Sequence, residues 1–320
     1  MTSLTIIIPV KNDARRLSRC LDAIARNRTE GAAAALIVAD NGSTDDSPTV
    51  AAAAGARVLT VPGVPVSQLR NTAAAAASTD LLAFIDADHE IVGTWIGAAL
   101  AAFAPDNVGA AGALYLIPPD ATWVQRMYGV LRGRTSGRSE VAWLGSGNLV
   151  VRRSAFEQIG GFDPSLQACE DVDFCQRLRA ADWKILGDEQ LGSVHHGDPP
   201  TLAALFRAER WRGRDNLRVS LRGPLTLREL PSVLTPIVTL LALAAIVISP
   251  VIRMWGGSSL IVAGTGVVAI VGLAALKAAR MAFRARTLSP VFIVQAFAVA
   301  LTYDIARAIA LVTRAPHHRR

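Results

Sequence analysis

Three long apolar runs occupy the last third of the chain, and they restrict its possible folds more than any other feature. The chain has 320 residues, of which 51% are hydrophobic, and the runs at 233–248, 260–276 and 288–303 contain almost no charged side chains. At ~1.5 Å per residue, a helix of about 17 residues approaches the hydrocarbon thickness of a bilayer. A buried helical bundle is the alternative. We therefore expect two or three transmembrane helices, at about 233–250, 258–276 and 288–312.

Basic side chains border these runs. The net charge is +7, and Arg and Lys concentrate at 207–228 and 277–286. Nucleic acid and an anionic membrane both attract such a protein, but the chain has no nucleic-acid-binding motif of the usual kinds, so the membrane is favoured. The positive-inside rule places 277–286 in the cytoplasm, and two spans then place the N-terminal domain there as well, attached to the cytoplasmic membrane. In the third expected helix, at 288–312, Asp304 and Arg307 either pair inside the helix, or the segment bends at the interface.

Strands alternate with helices before the apolar third. Apolar runs predict strands at 4–8, 36–39, 57–61, 81–85, 108–116 and 144–152. Helical spacing or composition predicts helices at 14–26, 45–54, 71–77, 156–159 and 170–180. This alternation predicts an α/β fold with a doubly wound, mostly parallel sheet. We expect a catalytic domain at 1–225 and a membrane domain at 226–320.

Two carboxylates follow the fourth predicted strand. Asp86 and Asp88 come directly after the run 81–85, with one residue between them. Ligands of open α/β sheets bind beyond the carboxyl ends of strands, and hard divalent cations take oxygen ligands and often retain substrate phosphates. The pair therefore indicates a metal–diphosphate site. The alternative is that Asp88 caps the next helix and Asp86 is solvated.

Two more polar residues are expected at the same sheet edge. Asp40 follows the second strand, where it either accepts hydrogen bonds from a base or ribose or only forms the turn. Arg70, with Asn71, opens the helix predicted before the fourth strand. Its guanidinium and the helix amides can bind an anion at this edge, whereas a solvated Arg is the alternative.

Acids and histidines later in the chain are candidates for proton transfer and metal binding. Glu170, Asp171 and Asp173 open a predicted helix, where acids either complement the helix dipole or include one base that deprotonates an acceptor hydroxyl. His195 and His196 are adjacent, so at most one of them can complete a metal shell. A surface pair of histidines is the alternative.

Arg210 and Trp211 precede the membrane part. Arg can bind a diphosphate, and Trp can stack on the apolar face of a sugar. The same residues also suit an interfacial helix, with Trp at headgroup depth and Arg towards anionic lipid. Both interpretations are compatible.

Read in order, these motifs resemble a family 2 glycosyltransferase of the GT-A fold, over roughly residues 3–215. The matching segments are IIIPVKN at 6–12, VADNGSTD at 38–45, RN at 70–71, FIDAD at 84–88, GGFD at 160–163 and EDVDF at 170–174. The resemblance implies an inverting sugar transfer from a nucleotide-diphosphate sugar, UDP- or GDP-linked, to a lipid-linked or saccharide acceptor. It also implies Mg²⁺ or Mn²⁺ as the cofactor.

Carried over by position, the resemblance assigns roles to single residues. Asp171 becomes the catalytic base, and Glu170 becomes the alternative base or an acceptor-orienting group. Asp88 becomes the direct metal ligand, and Asp86 lies near the ribose and the metal. Apart from the resemblance, His195 is the third candidate metal ligand. The expected nucleotide-sugar-binding residues are Pro9, Val10, Asn12, Asp40, Arg70, Asp86, Arg210 and Trp211.

The departures from the family pattern bear on the reaction. Arg207 stands where processive polysaccharide synthases have Gln in a Gln-x-x-Arg-Trp motif, which favours transfer of a single sugar. A nucleotidyltransferase acting on a sugar phosphate is an alternative function, but no Gly-rich loop follows the first strand. A catalytically inactive membrane protein that binds sugar is another, against which the acids Asp86, Asp88 and Asp171 argue.

Overall fold

The computed structural model describes residues 3–28, 34–223, 230–254 and 258–313. These residues form two units. The first combines the chain up to Pro119 with Gly133–Asp198, and the second combines Asp120–Arg132 with the chain from Pro199 onward. The boundary expected between residues 225 and 226 lies outside the described residues.

A sheet of eight described strands organises the first unit, beside a second sheet of two strands. In chain order the strands are β1 (Leu4–Val10), β2 (Ala34–Asp40), β3 (Arg57–Thr60), β4 (Leu81–Ile85), β5 (His89–Ile91), β6 (Val108–Gly112), β7 (Arg138–Glu140), β8 (Asn148–Arg152), β9 (Lys184–Asp188) and β10 (Ser193–His195). The large sheet has the order β3-β2-β1-β4-β8-β6-β9-β7, and β5 pairs with β10. Strands β1 to β4 are parallel, and β8 lies antiparallel between β4 and β6. The α/β, mostly parallel fold is confirmed.

Helices flank the large sheet. Numbered along the chain, they are α1 (Ala14–Asn27), α2 (Ser47–Ala53), α3 (Val66–Ala75), α4 (Trp95–Ala102), α6 (Arg153–Gln158) and α7 (Glu170–Ala180), while α5 (Trp123–Arg132) belongs to the second unit. Alternate residues of β1 pack into different apolar cores, Ile6 and Ile8 into one and Ile7 into the other. A strand covered on both faces needs apolar residues on both, which is why β4 is an unbroken apolar run and β1 is apolar apart from Thr5.

Two local expectations were wrong. Helix α3 begins at Val66, after Pro65, so Arg70 lies within the helix rather than at its start and the α3 amides are not beside it. Pro65 is extended, and proline is tolerated before or at the start of a helix because it needs no intrahelical partner for its nitrogen. Asp88 does not cap a helix, because β5 follows it and the next helix begins only at Trp95.

The second unit is helical. Besides α5 it contains α8 (Leu202–Arg212), α9 (Asn216–Ser220), α10 (Leu230–Met254), α11 (Ser259–Ala285) and α12 (Pro290–Ala310). Helices α10, α11 and α12 are long and apolar enough to cross a membrane, with mean hydropathies of 2.3, 2.3 and 1.5. Side chains of α5, α8, α11 and α12 share one apolar core, which includes Tyr128, Leu205, Met281 and Val299.

Candidate functional site

The loops after β1 and β2 are joined by polar contacts. Both carboxylate oxygens of Asp40, which is 1% exposed, lie within hydrogen-bond distance of the Ser43 amide, at 3.1 and 3.2 Å. Asn12 adopts a positive φ of 53°, and its Oδ1 accepts from the Thr44 amide at 2.7 Å. The Asn12 amide donates to Ser43 Oγ at 2.9 Å. Asp40 therefore forms the turn, and its side chain fixes the loop beside the end of β1. Its contact with a base or ribose stays a prediction.

Arg70 connects two carboxylates that lie far apart in the chain. Its Nη2 donates to Asp86 Oδ1 at 2.7 Å, and its Nη1 donates to Glu170 Oε1 at 3.0 Å. The Arg70 side chain is 2% exposed, so the solvated alternative is wrong. Burial opposes the charge of Arg70, but the two carboxylates outweigh this effect and raise its pKa further above the ordinary range. A permanently charged guanidinium thus holds the end of β4 against the start of α7.

Asp171, the neighbour of Glu170, has an environment that suits a base. Burial first, and then the negative charge of Glu170, raise the pKa of Asp171 to about 7. Its Oδ1 accepts from the Val172 amide at 2.8 Å. Its Oδ2 lies beside Gly145, 3.7 Å from where a Cβ of that glycine would stand. A carboxylate with a pKa near neutrality can take up and release a proton at physiological pH.

Three side chains can hold a metal ion. One ligand atom from each of Asp88, His89 and His195 lies within 4.8 Å of the others. Asp88 follows the turn after β4, whereas β5 and β10 place His89 directly opposite His195 in an antiparallel pair. The two imidazole rings stack with their centroids 4.5 Å apart. One carboxylate and two imidazoles are a donor set that suits Mn²⁺ and other transition-metal ions.

Hydrogen bonds orient both imidazoles. His195 Nδ1 lies 2.9 Å from Asp198 Oδ1, and His89 Nδ1 lies 2.9 Å from Ser193 Oγ. The Nε2 atoms lie 3.4 Å and 4.0 Å from the Asp88 carboxylate, respectively. A carboxylate behind a ligating histidine is a common support of metal sites, because it fixes the ring and strengthens it as a ligand.

The electrostatics of this cluster favour positive charge. Burial opposes ionisation of Asp88, but the charge of His195 outweighs it and holds the Asp88 pKa below its usual range. Burial opposes protonation of His195 too, yet Asp88 raises its pKa to about 9. Burial lowers the pKa of His89 to about 4, as does the charge of His195. His89 is therefore neutral and able to donate a lone pair to a cation.

Two glycines leave the space around the cluster open. A Cβ on Gly197 would collide with the Asp88 carboxylate and lie 2.8 Å from His195 Nε2. A Cβ on Gly147 would lie 2.7 Å from Asp86 Oδ2 and 3.0 Å from His89 Nε2. The donor set and the space that these glycines leave both fit a divalent cation.

The structure distinguishes the residues predicted around this cluster. Asp88 and His195 lie together, while Asp86 binds Arg70 and is not one of the three clustered side chains. Nε2 of His196 lies 2.9 Å from Glu90 Oε1 and outside the cluster, as expected for adjacent histidines of which at most one binds metal. His89 was missed, although it directly follows Asp88, because three-residue strands such as β5 carry no clear pattern.

The remaining predicted residues stay predictions. Pro9 and Val10 end β1 as buried residues at the carboxyl edge of the sheet, where nucleotide binding is expected. Asp173 pairs with Arg177 at 2.8 Å, which leaves Glu170 and Asp171 as the candidate bases of α7. Arg210 and Trp211 lie on α8, in the second unit.

Comparison with known families decides among the possible functions of this geometry. Residues 5–160 match the model of glycosyl transferase family 2. The chain carries a family 2 glycosyltransferase domain. The matched region contains β1 to β8 and the acids Asp40, Asp86 and Asp88, and it ends before Asp171 and His195.

Two curated relatives are glycosyltransferases of Mycobacterium tuberculosis. The chain is 28% identical over 234 residues to a pre-mycofactocin glycosyltransferase, a match that covers 69% of this chain and 48% of the relative. It is 41% identical over 104 residues to an N-acetylglucosaminyl-diphospho-decaprenol L-rhamnosyltransferase, covering 28% of this chain and 34% of the relative. The chain thus spans about half or less of the length of these relatives.

A solved structure shares the fold. The mannosyltransferase PcManGT from Pyrobaculum calidifontis, solved in complex with GDP-Man and Mn²⁺, matches with a TM-score of 0.62 at 17% identity. The match covers 96% of this chain and 86% of that chain. At this identity the likeness establishes the GT-A-like fold, not a shared substrate.

Proposed function

We propose that the protein transfers a single sugar, with inversion, from a nucleotide-diphosphate sugar to a lipid-linked or saccharide acceptor at a membrane. The observation that carries this proposal is Arg70, which binds Asp86 and Glu170 at once. Through it, the predicted donor edge of the sheet and the candidate base Asp171 belong to one connected site. The family 2 match supports glycosyl transfer over nucleotidyl transfer or sugar binding alone.

On the donor side, Asp88, His89 and His195 would hold Mg²⁺ or Mn²⁺, while Asp86 binds Arg70. When bound, the cation neutralises the diphosphate that departs with the nucleoside. Two imidazoles favour Mn²⁺ over Mg²⁺, because Mg²⁺ prefers oxygen ligands. Asn12 and Asp40 shape the loops on which the nucleoside would lie.

On the acceptor side, Asp171 takes the proton of the acceptor hydroxyl. The acceptor oxygen forms a bond to the anomeric carbon while the bond from that carbon to the diphosphate oxygen breaks, and the nucleoside diphosphate leaves with the electron pair. This single in-line displacement inverts the anomeric centre and requires no covalent nucleophile. Glu170 keeps Arg70 in place and raises the pKa of Asp171.

The relatives and the apolar helices support the proposed substrate classes. One relative is named for a decaprenol-linked acceptor, and a protein of the same fold was solved with GDP-Man. Helices α10 and α11 are long enough to hold the enzyme in a membrane, where lipid-linked acceptors reside. The positive-inside rule places the basic residues 277–286, and with them the catalytic domain proposed at 1–225, on the cytoplasmic side.

The test uses the full chain purified in lipid nanodiscs. A panel of UDP- and GDP-linked sugars is incubated with Mn²⁺, with Mg²⁺ or with EDTA, and the released nucleoside diphosphate is measured. We expect release with at least one donor, at a rate that EDTA abolishes. Release of pyrophosphate from a nucleoside triphosphate and a sugar phosphate would show a nucleotidyltransferase instead, and donor binding without turnover for any acceptor class would show a binding protein.

A further inference from the structure

Helix α12 differs from α10 and α11 in what surrounds it. Like them it contacts the other long apolar helices, but it also packs along α8 and contacts α5. Towards its start, Ala296 and Val299 join the apolar core that contains Leu205 of α8. Towards its end, Arg307 Nε donates to Glu209 Oε2 at 2.8 Å, and a Cβ on Gly213 would lie 2.8 Å from Ala310 Cβ. The two helices therefore run side by side in the same direction over about three turns.

Helix α8 cannot lie in the hydrocarbon of a bilayer. Its eleven residues include four charged side chains, namely Arg207, Glu209, Arg210 and Arg212. A charged side chain at the centre of a membrane helix costs about 2.5–3.5 kcal/mol even on the mildest scales. Because the later turns of α12 lie beside α8, those turns occupy the same depth as α8.

The exposed apolar side chains give the same result independently. Large exposed apolar residues occur along the whole of α10, from Leu234 to Met254, and of α11, from Leu260 to Phe283. In α12, which the structure describes in full, they are confined to the first turns, at Val291, Ile293 and Val294. Lipid can therefore contact α10 and α11 along their whole length, but α12 only at its first turns.

Charge on both sides of α12 supports this difference. Basic residues at 277–286 precede the helix, and Arg314, Arg319 and Arg320 follow it in the sequence. If α12 crossed the membrane, one of these groups would lie on the non-cytoplasmic side, against the positive-inside rule. Asp304, which is 2% exposed, pairs with Lys277, and this ion pair fixes α12 against α11 near the basic end of α11.

The first turns of α12 border a groove whose chemistry suits the headgroup region. The groove encloses about 930 Å³ between the end of α11 and the start of α12, and its lining includes Phe283, Leu288 and Val294 beside Arg284 and Arg286. Apolar side chains next to cations match the boundary between acyl chains and anionic phosphates. This end of α12 therefore contacts lipid, while the rest of the helix is covered by protein.

We propose that α5, α8 and α12 form a layer on the anionic headgroups of the membrane, and that only α10 and α11 cross it. Residues 287 and 313, at the two ends of α12, then lie on the same side of the bilayer, opposite residue 258. The inference depends on membrane attachment and is independent of the transfer reaction.

The test labels single cysteines in sealed vesicles that contain the full chain. The variants Ser258→Cys, Thr287→Cys and Thr313→Cys are each treated with a membrane-impermeant maleimide before and after permeabilisation. Mass spectrometry of peptides separates each new thiol from the native Cys20, Cys169 and Cys175, and labelling in detergent first establishes that each new thiol reacts. We expect positions 287 and 313 to be labelled from one side and position 258 from the other.

Labelling of position 313 together with position 258 would overturn the proposal and establish a third span. A second measurement does not depend on substitutions within the helices. A fluorescent protein that matures only in the cytoplasm, fused after Arg320, should fluoresce when the first unit is cytoplasmic. The two-span topology would also be contradicted if the full-length fusion is produced but does not fluoresce, while labelling still places residue 287 in the cytoplasm.

Discussion

Each unit contains a buried arginine–carboxylate cluster, and the two differ in how completely the carboxylates are paired. In the second unit, Glu209 is fully buried and accepts hydrogen bonds from Tyr128 at 2.6 Å, Arg212 at 3.0 Å and Arg307 at 2.8 Å. Burial opposes its charge, but the two arginines outweigh this and lower the pKa of Glu209 to about 2. Both carboxylate oxygens of Glu209 therefore accept hydrogen bonds, two of them from arginines.

In the first unit, the guanidinium of Arg70 binds two carboxylates, those of Asp86 and Glu170. The nearby carboxylate of Asp171 is not paired with this arginine. Arg70 binds Asp86, whose side chain is 35% exposed, and Glu170, whose side chain is 12% exposed. Asp171 is left with the pKa raised to about 7. The comparison shows that a saturated cluster holds helices together, whereas a cluster with fewer cations than acids leaves one carboxylate poised to take a proton.

Replacing the poised acid should have the largest effect on activity. Asp171→Asn removes the base while keeping its shape, so sugar transfer should fall by about 10²–10⁴-fold. Donor binding, measured by calorimetry, should stay close to that of the wild type. Because the folded protein disfavours the ionised form of Asp171, the variant should melt at the same temperature or higher at pH 8. Transfer at the wild-type rate would contradict the assignment of the base.

Replacing the saturated acid should have the largest effect on stability. Glu209→Ala leaves two arginines and Tyr128 without their acceptor, and loss of one partner of a buried ion pair costs about 3–5 kcal/mol. Glu170→Ala is the matched control in the other cluster, and should cost about 1–3 kcal/mol because Arg70 retains Asp86. Thermal unfolding in nanodiscs measures both changes. Equal losses would show that the two clusters do not differ as the comparison holds.

Weakening the carboxylate that supports the metal cluster should have an effect of intermediate size. Asp198→Asn weakens the carboxylate behind His195, so affinity for Mn²⁺ should fall by about 10–100-fold. His196→Ala is the matched control, since its ring lies against Glu90 and outside the cluster. Titration of Mn²⁺ followed by electron paramagnetic resonance measures the free ion. A loss that is the same in both variants would exclude the predicted role of His195.

The pH dependence of transfer should show the smallest change. Asp171 acts when ionised, so activity should rise with pH through an apparent pKa near 7 and be lost below it. Glu170→Gln removes the negative charge that raises this pKa, so the rise of activity with pH should occur at lower pH. The stability supplied by Glu209 is also lost towards acidic pH but in a lower range, because its lowered pKa makes that stability present above the ordinary carboxyl range and lost as pH falls towards 2. If activity rises at the same pH in Glu170→Gln as in the wild type, a group other than Asp171 controls this rise.

Local sequence patterns were sufficient to predict the bounds of elements whose residues all lie in the same environment. The predicted bounds of β4 and α7, 81–85 and 170–180, are those of the structure, because β4 is buried on both faces and the first turn of α7 is acidic. The start of α3 was misplaced by five residues, since Val66 and Leu69 carry too little periodic signal before Arg70. The orientation of β8 had no local signal at all, because it depends on the strand beside which it lies.

The sequence by itself determined that an α/β domain with acids at its strand ends precedes helices long enough to cross a membrane. Those features follow from patterns of neighbouring residues, because interactions between residues close in the sequence favour a helix or a strand. Only the tertiary structure decided that Arg70 joins Asp86 to Glu170, that His89 meets His195 across β5 and β10, and that α12 lies along α8. These contacts join residues 16 to 106 positions apart, and their free energy depends on burial and charge that exist only once the chain has folded.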